Sequence, residues 1–451
     1  MKKAIWMISI IFCVMVALLA SGAPVSAEDA TDEDQLFSSG DTVVSQEQIN
    51  DDKVDDELKE KRIGFSGQIN ADLGYTNYSP AGDLTGFGGS DQNLLSDQIS
   101  ADLFVDIRLQ KGIKGFLSVG VDYYPAISDL MRSQLGLSPN ITDYTSIGIK
   151  EFFVDTNWKN KIYFRTGKQY LKWGQGYFWN PTDFINTDKK DFLNMNQVMS
   201  GTFGTKIHVP SGVKQNLYFF VGADGANQFN DISLSGKYEF LVKNTEMAFS
   251  TRIKNDLKPV YGFDITGRLL QLDYRGEISL TDGENCEVLD YTTLGTVTKS
   301  GELIPRASFG FTKYFTVGEI KDQISVTTEF YYNQAGYDRN ILERIAQEPD
   351  GVTKNTAIAK YTANLYSNSK YYFALFGSVQ KFIVPEMTLG LNSMMNLDDK
   401  SAVLVAGLSY VPALTDLQIN FNITGYLGAA NTEATYLGNR WSIGLGTKIA
   451  F

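Results

Sequence analysis

The chain has 451 residues, with 40 Lys+Arg against 52 Asp+Glu, one His and a formal charge of -12; 43% of its residues are hydrophobic and 13% aromatic. So many rings, with only 20% of residues charged, exclude disorder as the dominant state. One His and two Cys exclude a zinc centre of several His or Cys ligands, a disulfide framework and an iron–sulfur cluster, so neither metal nor cofactor is expected; the acidic excess disfavours a nucleic-acid partner.

Residues 1–27 have the grammar of a secretory signal. Lys2 and Lys3 lead an apolar run from Ala4 to Ala20, and Val25-Ser26-Ala27 supplies a small-residue cleavage site, so the expected cut follows Ala27. The exported chain then keeps one thiol, Cys286, expected to be unpaired and loop-borne. Residues 28–61 form an acidic tail, expected to be disordered or to hold one short helix. Glu28 to Glu60 contains thirteen acids against two Lys, a net of -11, so the low isoelectric point belongs to this segment and the remainder is nearly neutral.

From Arg62 to Phe451 the hydrophobic period is two. Ile63, Phe65, Ile69, Ala71, Leu73 and Tyr75 share one parity while Ser66, Gln68, Asn70 and Asp72 share the other; the same pattern recurs in Ile99 to Leu109, Ile232 to Val242, Leu272 to Leu280, Ile324 to Tyr332 and Leu417 to Leu427. Each is a strand with one apolar and one polar face. No stretch after the signal shows a sustained 3.6-residue apolar stripe. Short connections near 111–112, 158–161, 210–214, 243–244, 267–269, 316–322, 384–386 and 413–416 alternate with long ones near 79–96, 125–144, 173–200, 282–303 and 333–359. Short turns at one rim and long loops at the other predict an all-β fold, a transmembrane antiparallel β-barrel of about 18 strands, with 16 the alternative. An even count puts both chain ends at the short-turn rim.

A soluble β-sandwich array or β-helix would also alternate. Two features favour the membrane. Aromatic residues gather towards strand ends (Phe152-Phe153, Phe219-Phe220, Tyr331-Tyr332, Tyr371-Tyr372), as interfacial girdles require. The last strand also ends on an apolar face with a terminal ring.

Gly446, Ile449 and Phe451 resemble the C-terminal signal by which barrel-insertion machinery recognises outer-membrane barrels. A second resemblance covers Glu151-Phe-Phe153-Val, Arg165-x-Gly167-x-Gln169, Trp173-Gly174 and Asn180-Pro181-x-Asp183 with Ile185-Asn186. This block is similar to a strand-hairpin-loop unit of Gram-negative porin-like barrels, including the alginate-export type. The resemblance implies a pore in the outer membrane, with lipid and small hydrophilic solutes as partners, a homotrimer as a possible assembly and the tail in the periplasm.

The residues also carry physical expectations of their own. A hairpin centred near Trp158 would set Glu151 opposite Arg165, with Gln169 on the same polar face. The loop from Trp173 to Ser200 carries Asp183, Asp188, Lys189, Lys190 and Asp191; it either folds into the lumen and narrows it or lies outside as a solvated loop. Arg108, Asp273, Arg275 and Glu277 complete the candidate lining. On the cleanest strands seven acids face three bases, which predicts a mild cation preference. The lone His208, beside a short turn, offers no base for surface hydrolysis, so an enzyme is not expected. The functional expectation is a passive diffusion channel; the alternatives are a substrate-specific uptake or export channel, for a polysaccharide among other solutes, and an adhesin or structural barrel without transport.

Overall fold

The computed structural model describes residues 62–84, 93–109, 112–127, 138, 140–186, 189–195, 197–285, 287–298 and 301–451. The expected signal with its Ala27 cut, the acidic tail, Asp188 and Cys286 lie outside the described residues.

The strands are β1 (Arg62–Asp83), β2 (Asn93–Arg108), β3 (Lys114–Tyr124), β4 (Tyr144–Trp158), β5 (Ile162–Gln169), β6 (Thr202–Pro210), β7 (Gln215–Gly222), β8 (Ser233–Val242), β9 (Thr245–Lys254) and β10 (Val260–Leu269). They continue with β11 (Leu272–Asp282), β12 (Val288–Leu289), β13 (Thr296–Val297), β14 (Leu303–Val317), β15 (Ile320–Asn333), β16 (Tyr371–Gln380), β17 (Met387–Asn396), β18 (Ser401–Tyr410), β19 (Leu417–Leu427) and β20 (Leu437–Ala450). The β12–β13 pair is a small separate sheet within a long loop; the other strands form one 18-stranded sheet of antiparallel neighbours. β1 pairs with β2 on one side and β20 on the other, so the sheet closes on itself. Closure removes every sheet edge, which is the one way a sheet satisfies its backbone groups in hydrocarbon.

Alternation decides what each wall face contains. Along β8 to β10 the outward residues include Leu234, Phe249, Ile253 and Tyr261, all exposed, whereas Ser235, Lys237, Ser250 and Asp264 on the other parity are buried. Apolar groups thus face out and polar groups face the enclosed space along these strands, whereas β16 to β18 turn Tyr372, Ala374, Phe376, Met394 and Val403 inward. The seam runs along β1 and β20, from Asp83 opposite Leu437 to Gln68 opposite Ala450, and is extended by Gly67 N–H donating to Phe451 O at 2.8 Å and Phe451 N–H to Gly67 O at 3.0 Å. Ile449 and Phe451 stay exposed on the outer side, and Gly446 lies against Asp72.

Three expectations need correction. Of the tandem aromatics, Phe153, Phe220, Tyr331 and Tyr372 are buried on the inward face while Phe152, Phe219 and Tyr371 are exposed and Tyr332 is half-buried; adjacent strand residues point oppositely, so half of each pair leaves the expected girdle for the lumen. The β4–β5 turn centres on Asn160 rather than Trp158, with Lys159 and Asn160 both left-handed. Arg165 therefore faces Asp155, not Glu151. Finally, the loop after β15 holds two helices, α1 (Ile341–Ala346) and α2 (Gly351–Thr362), and runs on to Lys370. Both start at N-caps, Asn340 and Asp350, and their buried faces are only Ile341, Leu342 and Ile345, and Ala357, Ile358 and Tyr361, too short for a recognisable stripe.

Candidate functional site

The connection from β5 to β6 lies inside the cylinder, because every group it touches on the wall belongs to the inward parity. Glu329 of β15 is only 1% exposed, and its carboxylate accepts the backbone N–H groups of Tyr177 (2.6 Å), Phe178 (3.2 Å) and Trp179 (2.7 Å). Glu277 of β11 accepts from Gly176 N–H, Thr182 N–H (3.0 Å) and the Thr182 hydroxyl (2.8 Å). Each of the two wall carboxylates is thus the anion held in a nest of loop backbone N–H groups. From the cationic side, Lys237 of β8 donates to Trp173 O (3.0 Å) and Arg252 of β9 to Phe184 O (2.7 Å). Arg275 of β11 lies over the Tyr177 ring.

The loop's own sequence explains its shape. A Cβ at Gly176 would collide with the Trp179 carbonyl, so the tight turn needs glycine. Asp183 accepts from Ile185 N–H (3.3 Å), Asn186 N–H (3.2 Å) and the Asn186 amide (2.7 Å), while Asn186 Oδ1 accepts from Leu171 N–H (3.2 Å). The two limbs are thereby tied together beneath a small apolar cluster of Leu171, Trp173, Ile185 and Phe220. Burial pushes the Asp183 carboxyl up to about 6 against the pull of its Asn186 hydrogen bonds.

Above the loop, the long connections pack into a cap. Leu84, Leu289, Leu294, Ile341, Leu342, Ile345, Ile358, Tyr361 and Tyr436 form one apolar core drawn from four connections. Loop and cap are joined directly: Trp179 Nε1 donates to Tyr366 O (2.7 Å), Lys189 Nζ to Asn364 Oδ1 (2.6 Å), and Trp179 stacks on Tyr331 at 5.3 Å and 7°. A cavity of about 370 Å³ lies between loop, cap and wall, bordered among others by Trp179, Asp183, Lys189, Lys190, Arg252 and Arg306.

A closed 18-stranded cylinder with an inward loop can be set beside known structures. It is similar to a BenF-like porin from Pseudomonas fluorescens Pf-5, with 9% identity over 86% of this chain and 98% of that one, at a TM-score of 0.54. OccK8 (OprE) of Pseudomonas aeruginosa matches at 10% identity, 86% and 98% coverage and 0.52, and OccK2 (OpdF) of the same organism at 10%, 86% and 97%, and 0.51. The fold is a porin fold. No protein-family model and no curated protein matches the sequence.

Within this porin fold the sequence-predicted residues divide. Asp183, Lys190, Arg275 and Glu277 meet at the inward loop, with Lys190 donating to Tyr177 O. Lys189 reaches the cap, and Asp191 caps a turn through Leu193 N–H (2.9 Å). Glu151 accepts Tyr170 N–H (2.8 Å) at the loop's root. The others are elsewhere. Arg165 forks onto Asp155 (2.6 and 2.9 Å) over the Phe153 ring. Gln169 is fully buried, donating to the carbonyls of Arg165 (3.1 Å) and Gly204 (3.1 Å), and so serves the wall. Asp273 pairs with Arg268, and Arg108 lies 3.3 Å from Asp106 at the short-turn rim. Reasoning from the sequence did not single out Glu329, Lys237, Arg252 or Trp179 as partners. Glu329 and Lys237 were visible as charges on the polar parity, but nothing in one strand tells what lies across the lumen.

In the cap, Glu433 is buried and accepts from Tyr366 N–H (2.8 Å), the Tyr372 hydroxyl (3.2 Å) and the Asn396 amide (2.8 Å), while its own N–H donates to Asp399. Burial, then the nearby Asp399, raise its carboxyl to about 7. A raised folded-state value means the native cap holds this proton more tightly than the unfolded chain. The resulting stabilisation, about 3 kcal/mol, is complete below the ordinary glutamate range and lost as pH climbs through about 7. Hydrogen exchange at residues 363–370 is therefore expected to quicken between about pH 5 and pH 8 beyond the intrinsic rate change. Glu433→Gln should flatten that dependence; an unchanged pH response in the variant would remove Glu433 as its source.

Proposed function

We propose that this protein is an outer-membrane channel for passive diffusion of small hydrophilic solutes and ions. The carrying observation is the opposed polarity of the two wall faces on a closed cylinder: exposed Leu234, Phe249 and Ile253 suit lipid, and buried Lys237, Asp264, Glu277 and Glu329 suit water. Eighteen strands at ~4.8 Å spacing and a tilt of about 40° enclose a ring about 36 Å across, wider than wall side chains fill. The remaining space is narrowed by the loop, so passage is governed by width and local field at that level. Porin folds among the structural neighbours support this reading, as do the porin-like block and the C-terminal signal.

A substrate-selective channel is the second reading, favoured by the cavity beside Lys189, Lys190, Arg252 and Arg306 and by the rigid anchoring of the loop. Selectivity between ions is expected to be weak and towards cations. Asp102 pairs with Lys150 (2.6 Å), Asp273 with Arg268 (2.5 Å) and Glu239 with Lys237 (3.2 Å), while Glu277 and Glu329 are engaged with the loop. Asp264 keeps both oxygens without a hydrogen-bond donor, 3.7 Å from the Lys237 ammonium. Insertion by the barrel-assembly machinery, a lipid-embedded homotrimer and a periplasmic tail belong to the same proposal.

His208 lies between the rings of Tyr163 and Tyr218 and bonds to Asn216 (3.0 Å), a position in the wall that offers no adjacent nucleophile. Planar-bilayer recording of purified, folded protein tests the channel: stepwise openings are expected, with a small reversal potential of cation sign in a salt gradient. Silence from an intact barrel would favour an adhesin or structural role, and a clear anion potential would overturn the selectivity.

A further inference from the structure

The inward loop gives the lumen two different sides. Its fastenings lie on β8, β9, β11 and β15, and the inward residues beneath it are sealed: Lys237 is 4% exposed, Asp264 1%, Glu277 4% and Glu329 1%. On β19, β1 and β2, by contrast, Asn422, Asp72 and Ser96 are exposed although they share the inward face. Residues of that face can be exposed only to the enclosed water, so the open path runs along β19, β20, β1 and β2.

Charge is scarce on this side. β16 to β20 carry only Arg440 and Lys448, and Arg440 lies at the long-loop rim, where it donates to Ser79 Oγ at 3.1 Å. On β2 and β3, Asp102 is held by Lys150 (2.6 Å) and Gln68 (2.8 Å), and Asp122 accepts the Gln98 amide (3.1 Å). Asp72, halfway along β1, is different: among the described residues it has neither a hydrogen-bond donor nor an ion pair. Its register neighbours are Gly446 of β20 and Gln98 of β2, with Asn420 of β19 beyond Gly446. A Cβ at position 446 would strike the Asp72 carboxylate, so this glycine lets the carboxylate lie over β20 among neutral amides. The opposing charge is Lys448, one inward position nearer the short-turn rim, where it faces Asn70 and Gln418.

We propose that Asp72 sets the cation preference, its unneutralised carboxylate serving as a station for small monovalent cations on the open side of the lumen. This rests on the channel reading and adds to it a place and a ligand class. A fixed charge acts on ions within about 8 Å at physiological ionic strength. Wall charges already paired within that distance cancel, which leaves Asp72 to act on passing ions. Lys448, closer to the mouth, meets ions nearer bulk electrolyte and opposes it less.

The test is the potassium-to-chloride permeability ratio of the full exported chain in planar bilayers, read from the reversal potential in a salt gradient. Asp72→Asn is expected to lower the ratio about twofold or more, Asp72→Lys to invert it and Lys448→Gln to raise it. The wild-type ratio should itself fall towards one between about 0.1 M and about 1 M salt, as the screening length shrinks from about 10 Å to about 3 Å. An unchanged ratio in Asp72→Asn, with stepwise openings intact, overturns the assignment and leaves the channel standing; a silent wild type defeats both. A charge added after the pore has opened avoids any folding defect: Asp72→Cys in a Cys286→Ser background, treated with thiosulfonate reagents of either sign. An ammonium-bearing reagent should lower the ratio about twofold or more within one recording, and a sulfonate-bearing one should raise it. Equal responses to both, or no response, would mean that the ion path does not pass Asp72.

Discussion

Replacing Glu329 by Ala is expected to raise single-channel conductance by about two- to fivefold, because this one carboxylate anchors the loop that lies inside the cylinder. Its two oxygens accept the N–H groups of Tyr177, Phe178 and Trp179, which have no other acceptor within the turn. Hydrogen bonds to a charged acceptor contribute about 1.5–3 kcal/mol each, and a buried N–H left without a partner costs about 1–3 kcal/mol. A loop cannot bear three such losses and keep its conformation; it should relax into the lumen or out of the mouth, widening the path. Glu329→Gln is a sharper probe, since it keeps the volume but turns an amide donor towards backbone donors. Conductance in planar bilayers reads both variants. Wild-type conductance from either, in a protein whose barrel migrates normally on electrophoresis, would show that this loop does not set the width.

The second large effect is expected at Trp179→Ala, and it should appear in two segments at once. The indole stacks on Tyr331, meets Tyr372 at 5.8 Å and Phe178 edge-on at 5.2 Å, and donates to Tyr366 O in the cap. Truncating a buried tryptophan costs about 3–5 kcal/mol, here drawn from the packing of the loop against the inward Tyr331 and Tyr372 of β15 and β16 and from its hydrogen bond to the cap. Hydrogen exchange should therefore rise at residues 173–186 and at residues 363–370 together, with the amides of β8 to β11 unchanged. Exchange confined to the first segment would mean that the indole is not the link between them.

How far the fold was legible follows from what a strand encodes. A period of two names the two faces, and connection length names the rim, so a barrel of about 18 strands, with 16 the alternative, is legible in the sequence, and the closed sheet has 18. Register could not. Glu151 and Arg165 were correctly given one face, but the partner of Arg165 slipped by four residues because the turn centre lies two residues on, at Asn160, and the bulge between Ser118 and Val119 places Lys150 and Glu151 on the inside in succession. The site was legible only in outline. Asp183, Arg275 and Glu277 drew attention as charges near a long loop, yet Glu329 lies about 150 residues further along the chain, and its role exists only once the cylinder is shut. Helices α1 and α2 escaped notice for a related reason: with one or two turns of apolar contact each, they owe their form to the cap's shared core.

The reciprocal bonds between Gly67 and Phe451 set a constraint on biosynthesis. The first strand finds its second neighbour only when β20 has been made, after every other strand of the barrel. Until then two unsatisfied edges are open to any foreign strand, so export must deliver a chain prevented from pairing prematurely. Loss of the whole of β20 would leave a gap rather than a smaller barrel, because β1 and β19 would each lose a neighbour.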